Sequence, residues 1–134
     1  MKIISIRQPW ASLIVNGIKD IENRSWSTNY RGRVLIHASQ TEDKISSVEL
    51  KQRYGVNAPT YRPTGGVIGV ADIVDCVEEH DSKWFDGEDY GFVLKNPRSL
   101  RFVRWPGQLG LREASRGLLA KIARVAAQFK SHLG

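Results

Sequence analysis

Sulfur is nearly missing from this chain: 134 residues carry one cysteine, Cys76, and one methionine, Met1. A lone cysteine cannot close an internal disulfide or supply a cysteine-based zinc site, so the fold must rest on its core. Cys76 lies in the apolar run Ile73-Val74-Asp75-Cys76-Val77, where an inert buried thiol is expected rather than a reactive one. Long apolar runs are missing too, and none approaches the roughly 20 residues of a membrane-spanning helix. Met1-Lys2-Ile3-Ile4-Ser5-Ile6 is too short for a signal peptide and soon meets Arg7 and Pro9. A cytoplasmic protein without membrane partners is the expectation. Metal-ligand spacing is lacking: His80 and Asp81 sit among carboxylates, a weak divalent-ion signal, and Gly65, Gly66 and Gly69 form no phosphate loop. No metal or cofactor is expected. Repeats, low-complexity tracts and linkers are absent, so residues 1–134 read as one domain, large enough for its own core.

Acidic residues are in deficit, 14 against 20 Lys and Arg, giving a net charge of +6. The resulting pI near 9.7 favours polyanionic partners without specifying a fold. The charge is also unevenly placed. Residues 72–90 hold eight Asp or Glu against one Lys, and residues 98–134 hold eight Arg or Lys against one Glu. The blocks either form a basic and an acidic face or neutralise each other through weak surface pairs.

What the chain does have is concentrated in Gly17-Ile18-Lys19-Asp20-Ile21-Glu22-Asn23-Arg24. If Ile21 to Arg24 is extended, alternation puts Glu22 and Arg24 on one face and Ile21 on the other. Lys19 stands at the strand's entrance, within reach of Glu22. A cation, a carboxylate and a guanidinium fork on one rim suit an anionic, hydrogen-bonding ligand. The flanks interleave basic and aromatic residues, Arg7-Gln8-Pro9-Trp10 before, Trp26 and Tyr30-Arg31-Gly32-Arg33 after, as nucleotide recognition requires.

The periodicity predicts a strand over Ile3–Ile6, then a helix with Pro9 in its first turn, running through Trp10 to Asn16 and stopped by Gly17. That helix buries Leu13 and Ile14, and its free N-terminal N–H groups, near Arg7, Gln8 and Ser12, are candidates for a phosphate. Strands follow at Ile21–Arg24 and Arg33–Ala38. Ser39-Gln40-Thr41-Glu42 matches a capping box, which predicts a helix from about Thr41 to Tyr54 with Ile45 and Val48 inward. Residues 55–66 read as an ordered loop. Val67–Val74 is apolar on both faces and therefore central, with Gly69 marking a bulge, a bend or a close backbone approach. After the acidic loop come strands at Gly91–Leu94 and Leu100–Trp105. Leu118, Ile122, Val125 and Phe129, with Leu119, Ala126 and Leu133, keep helical spacing opposite Arg116, Lys121, Arg124 and Lys130. Five or six short strands and three helices that mostly do not alternate with them predict an α+β barrel.

With those residues in view, the chain resembles the ASCH family of the PUA-like β-barrel superfamily. The resemblance is carried by Gln8-Pro9-Trp10-Ala11-Ser12-Leu13, Gly17-x-Lys19-x-x-Glu22-x-Arg24, Trp26-x-Thr28, Arg31-Gly32-Arg33 and Ile36-His37-Ala38. Gly66–Cys76 and Tyr90–Leu94 look like the family's later strands. The branch it looks most like occurs as a domain of a transcription coactivator and as stand-alone bacterial proteins. The resemblance implies a small barrel, a cleft lined by the Gly-x-Lys-x-x-Glu-x-Arg segment and a role in nucleic-acid binding. Some members resemble ribonucleases. A neighbouring branch resembles amidohydrolases acting on acetylated cytidine, with a Lys and, three residues later, a Thr nucleophile. Lys19 is retained here, but Glu22 stands where that Thr would be. A carboxylate cannot replace a hydroxyl in acyl transfer without changing the intermediate, so that chemistry is not expected.

The expected function is binding of RNA, other single-stranded nucleic acid or a nucleotide. Lys19, Glu22 and Arg24 read polar edges, Trp26 stacks, Ser12 and Thr28 add hydroxyl hydrogen bonds, and Arg7, Gln8, Arg31, Arg33 and the basic C-terminal helix follow the backbone. Each has a structural alternative: a surface salt-bridge cluster for the Lys19 group, a core anchor for Trp10, an ordinary turn for Arg31-Gly32. A ribonuclease needs a base, Glu22 or His37, with Lys19 and Arg24 as cations, and would make Lys19 and Glu22 catalytic. His37 otherwise reads as a hydrogen-bonded, partly buried strand residue. The C-terminal helix is alternatively a docking site for a protein partner, or packs on the barrel with a solvated basic side.

Overall fold

A computed structural model describes residues 1–133, with side chains through Lys130. Six strands form one sheet in the order β2-β5-β4-β3-β1-β6. They are β1 (Lys2–Ile6), β2 (Ile21–Arg24), β3 (Gly32–Ala38), β4 (Gly66–Val77), β5 (Tyr90–Arg104) and β6 (Leu111–Glu113). The helices are α1 (Trp10–Val15), α2 (Ser47–Tyr54) and α3 (Arg116–Leu133). β1 and β3 are parallel, and every other neighbouring pair is antiparallel. None of these helices is long and apolar enough to cross a membrane, among the described residues.

Alternation along β3 explains the layers. Val34, Ile36 and Ala38 pack with Ile14 and Val15 of α1, while Leu35 turns to the other face and packs with Leu118 of α3. The two helices therefore cover opposite faces of the sheet. The sheet curls into a half-barrel. Arg24 of β2, the strand at one edge, donates from Nη2 to the carbonyl oxygen of Ser5 in β1, one strand in from the other edge, at 2.7 Å. Arg24 thus bridges the open seam.

β4 is the expected central strand. Its register with β5 slips between Val67 and Gly69, and a side chain at Gly69 would lie 2.5 Å from the Arg98 carbonyl oxygen and from Val15. Gly69 therefore serves both a bulge and a close approach. Cys76 is a free, half-buried thiol against the core.

Three expectations need correction. The two strands expected after the acidic loop are one strand of 15 residues, β5. Lys95-Asn96-Pro97 looks like a loop in sequence, but Asn96 adopts φ 53° and donates to Asp72 Oδ2 at 3.0 Å, so the strand kinks without ending. β6 is not anticipated because three residues are too few for a period to show. The second helix begins at Ser47, not near Thr41. Its capping box is Ser46-Ser47-Val48-Glu49, where the Ser46 hydroxyl accepts from the Glu49 N–H at 3.0 Å. The Asp43 N–H donates to the Gln8 carbonyl oxygen, so tertiary contacts take the segment that local capping would have made helical. Val48, expected inward, is 64% exposed, and Leu50 is the buried residue instead. Replacing Ser46 by Ala is expected to cost about 1 kcal/mol in a denaturant titration. On α3, Leu118 is buried and Leu119, Ile122 and Val125 pack around it. Leu133, expected on that face, lies outside the described side chains.

Candidate nucleic-acid interface

A cleft of about 1020 Å³ opens at the seam, between β2, the end of β1, the start of α1 and the loops before β5 and β6. Gly17, at φ 80°, ends α1 and turns the chain, so that the Ile18 and Lys19 N–H groups both bond the Leu13 carbonyl oxygen. This turn carries Lys19 back toward β2. Its side chain is 6% exposed, and its ammonium donates to the Ile21 carbonyl oxygen and lies 3.7 Å from Glu22 Oε1. The other carboxylate oxygen, Oε2, accepts from Arg24 Nε at 2.9 Å. Ile21 points the opposite way into a core with Leu13, Leu50 and Trp84. One carboxylate is thus shared by two cations. Burial pushes the Lys19 pKa below its usual range, and Glu22, then Asp20, push it back only in part.

Aromatic rings form two walls. On one, Tyr54 and Trp84 stack at 4.5 Å, and Trp10 meets both edge-on at 5.8 and 6.4 Å. Trp10 Nε1 donates to Asp43 Oδ2 at 2.7 Å, and Asp43 Oδ1 accepts from Arg7 at 3.1 Å, which holds Arg7 at the rim. On the other wall Trp26 stands edge-on to Phe92 at 5.2 Å, with the Arg24 guanidinium 5.8 Å from its ring. Trp84 is almost wholly buried, whereas Trp10, Trp26 and Tyr54 keep part of their surface open.

Of the residues singled out in the sequence, Arg7, Lys19, Glu22, Arg24 and Trp26 meet in this cleft. Gln8 and Ser12 lie elsewhere, both buried. Gln8 Oε1 accepts from the Ser12 N–H, its Nε2 donates to Ser12 Oγ and the Pro63 carbonyl oxygen, and Ser12 Oγ donates to that of Tyr61. The Ala11 and Leu13 N–H groups are likewise taken, by carbonyls of Arg7 and Pro9. The expected phosphate seat at the start of α1 is therefore filled by the protein itself. Thr28, Arg31 and Arg33 sit near the end of β3 remote from the cleft. Thr28 Oγ1 accepts from the Tyr30 N–H, while Arg31 and Arg33 pair with Asp75 and Asp72 at 3.7 and 3.2 Å. Here the acidic block neutralises basic residues, one of the two arrangements that the charge pattern allows.

His37 is buried more deeply than its strand pattern suggests, and burial lowers its pKa. Its Nε2 donates to the Trp105 carbonyl oxygen at 2.6 Å, leaving Nδ1 to accept from Ser5 Oγ at 2.9 Å. Gly107 covers the pair: a side chain there would meet both His37 and Ser5. His37 is thus a structural clasp for the loop before β6, with both ring nitrogens already engaged. The residues missed in sequence are Tyr54, Trp84 and Asp43. Trp84-Phe85 inside an acidic loop is the signal for Trp84. Asn23 fastens that loop by donating to the Trp84 carbonyl oxygen at 2.9 Å and accepting from the Asp86 N–H at 3.2 Å.

Comparison with known proteins places this geometry. The ASCH domain model matches residues 4–115. Activating signal cointegrator 1 of Homo sapiens and that of Mus musculus are each 34% identical over 117 residues, covering 77% of this chain and 20% of theirs. The chain therefore spans a fifth of the length of these curated relatives. The crystal structure of ASCH from Zymomonas mobilis aligns with a TM-score of 0.60 over 92% of this chain and 94% of that one, at 17% identity, which shows a shared fold. A point mutant of the same bacterial protein aligns with a TM-score of 0.59 over 92% of this chain and 96% of that one, also at 17% identity. With the family model spanning most of the sequence and the half-barrel matching a solved member, this chain belongs to the ASCH domain family.

Proposed function

We propose that the cleft binds one nucleotide of an RNA or other single-stranded nucleic acid. The observation that carries this reading is Lys19, an ammonium almost wholly removed from water whose hydrogen-bond capacity is not filled by Ile21 and Glu22. With Arg24 and Glu22 it offers donors and an acceptor side by side, the pairing that a base edge or phosphate needs. Trp26 supplies a partly open ring for stacking, worth about 1–3 kcal/mol per base. Arg7 at the rim is placed for a phosphate of the same strand. Arg31 and Arg33, paired with aspartates, are secondary contributors, and Gln8, Ser12 and Thr28 act by holding the backbone. The association of ASCH proteins with nucleic acids supports the same reading.

The test is a titration of labelled single-stranded RNA against the protein and Lys19→Met. Methionine keeps the buried stem, and Glu22 keeps Arg24. Affinity should fall about 10- to 100-fold, the worth of one or two hydrogen bonds to a charged group. Equal affinities would remove Lys19 from the site. The same RNA, incubated with and without EDTA, decides the ribonuclease alternative: cleavage abolished in Lys19→Met at protein concentrations that saturate the RNA would make the cleft catalytic, with Glu22 as its base.

A further inference from the structure

A second surface carries charge that the cleft does not use. Among the described residues, Arg98, Arg101, Lys121 and Arg124 take part in no ion pair, whereas Arg7, Arg24, Arg31, Arg33 and Arg53 each have a carboxylate partner. The segment's one acidic residue, Glu113, is occupied by Lys2 and the amino group of Met1. Register and contacts put these four cations on the α3 side of the sheet: Arg98 pairs with Val70, which packs with Leu118. Arg101 follows along β5, and α3 runs beside the strand: Lys121 Nζ donates to the Arg104 carbonyl oxygen at 3.0 Å, and the Arg101 guanidinium lies 4.1 Å from the Phe129 ring. Arg124 follows Lys121 by three residues, on the same flank of the helix.

This strip is separated from the cleft by the sheet. α3 packs on the face that Leu35 and Val103 present, and the cleft is built on the face that carries α1. We propose that the β5–α3 strip is a separate nucleic-acid site that holds the sugar-phosphate backbone of an RNA without reading its bases. Three of the four cations are arginines, whose planar fork matches a phosphate better than an ammonium does. An elongated basic stripe is the electrostatic footprint of a polyanion. None of the exposed large apolar side chains, Met1, Ile18, Val48, Tyr61, Val74 and Leu109, belongs to the strip, so it lacks the apolar anchors of a protein interface or a membrane surface. The proposal stands without the cleft reading.

The test uses Arg98→Gln/Arg101→Gln/Arg124→Gln in the full chain. Among the described residues none of these three side chains makes a hydrogen bond, so the melting temperature should be unchanged. The probe is a single-stranded RNA long enough to engage several phosphates, titrated by fluorescence anisotropy between about 50 and 200 mM salt. The slope of log affinity against log salt should fall by about 2, roughly 0.7 for each phosphate no longer neutralised, while Lys19→Met changes it by at most about 0.7. An unchanged slope and affinity in the triple variant would overturn the proposal. So would a protein that binds phosphatidylserine vesicles but no RNA. Failure of the cleft reading shows separately, as full RNA affinity in Lys19→Met.

Discussion

Glu22→Gln is expected to lower folding stability by about 3–5 kcal/mol, because it leaves Lys19 buried without the carboxylate that answers its charge. The denaturant midpoint should drop with little change in slope. Two further results separate this cause from loss of packing. Lys19→Met/Glu22→Gln should be more stable than Glu22→Gln alone, since removing the stranded ammonium removes the penalty. The pH response follows from the depressed pKa of Lys19. Glu22 is the largest influence raising that pKa, so its loss pushes the pKa lower still. As pH rises through this folded value, Lys19 loses its proton in the native state while the unfolded chain keeps it up to the ordinary value of 10.5. The unfolded state then binds more protons, and stability rises with pH. Glu22→Gln should therefore recover relative to the unaltered chain as pH is raised toward 10.5, and the double variant should show no such recovery. A Glu22→Gln protein as stable as the original would mean that water, not Glu22, compensates Lys19.

Phe92→Ala should cost a similar amount, about 3–5 kcal/mol, through the cavity it leaves in the core. Phe92 is fully buried, pairs with Glu22 across the β2–β5 ladder and supports the Trp26 ring. Its removal should therefore act twice, on stability and on the wall of the cleft. Phe92→Leu, which keeps much of the volume, should lose about 1 kcal/mol and retain most RNA affinity. If Phe92→Ala binds RNA as well as the original at a temperature where both are folded, Trp26 is not part of the interface.

Sequence and structure agree where periodicity is strong and disagree where a tertiary contact outbids a local preference. β1, the central β4 and the apolar side of α3 follow from spacing alone. The early helix start near Thr41 fails because Asp43 is taken by Gln8, Arg7 and Trp10, contacts between residues more than 30 positions apart. β5 reads as two strands because a polar run with proline resembles a loop, and pairing with β4, Lys95 to Asp72 before the run's proline and Arg98 to Val70 after it, carries the strand through. In the cleft, Lys19, Glu22 and Arg24 are visible in sequence because all three lie within six residues of one another. Tyr54 and Trp84 are hidden because they arrive from distant segments.

By itself the order of amino acids determined the strand alternation, the short first helix and its glycine stop, and the juxtaposition of Lys19, Glu22 and Arg24, since each depends on neighbours within a few positions. Tertiary structure decided which polar groups remain open to a ligand. Gln8 and Ser12 resemble ligand-binding residues until the loop carbonyls of Tyr61 and Pro63 satisfy them, and His37 resembles a base until Gly107 covers it. The physical reason is that exposure and hydrogen-bond satisfaction are properties of the packed chain: a donor is spent or free according to what folds against it.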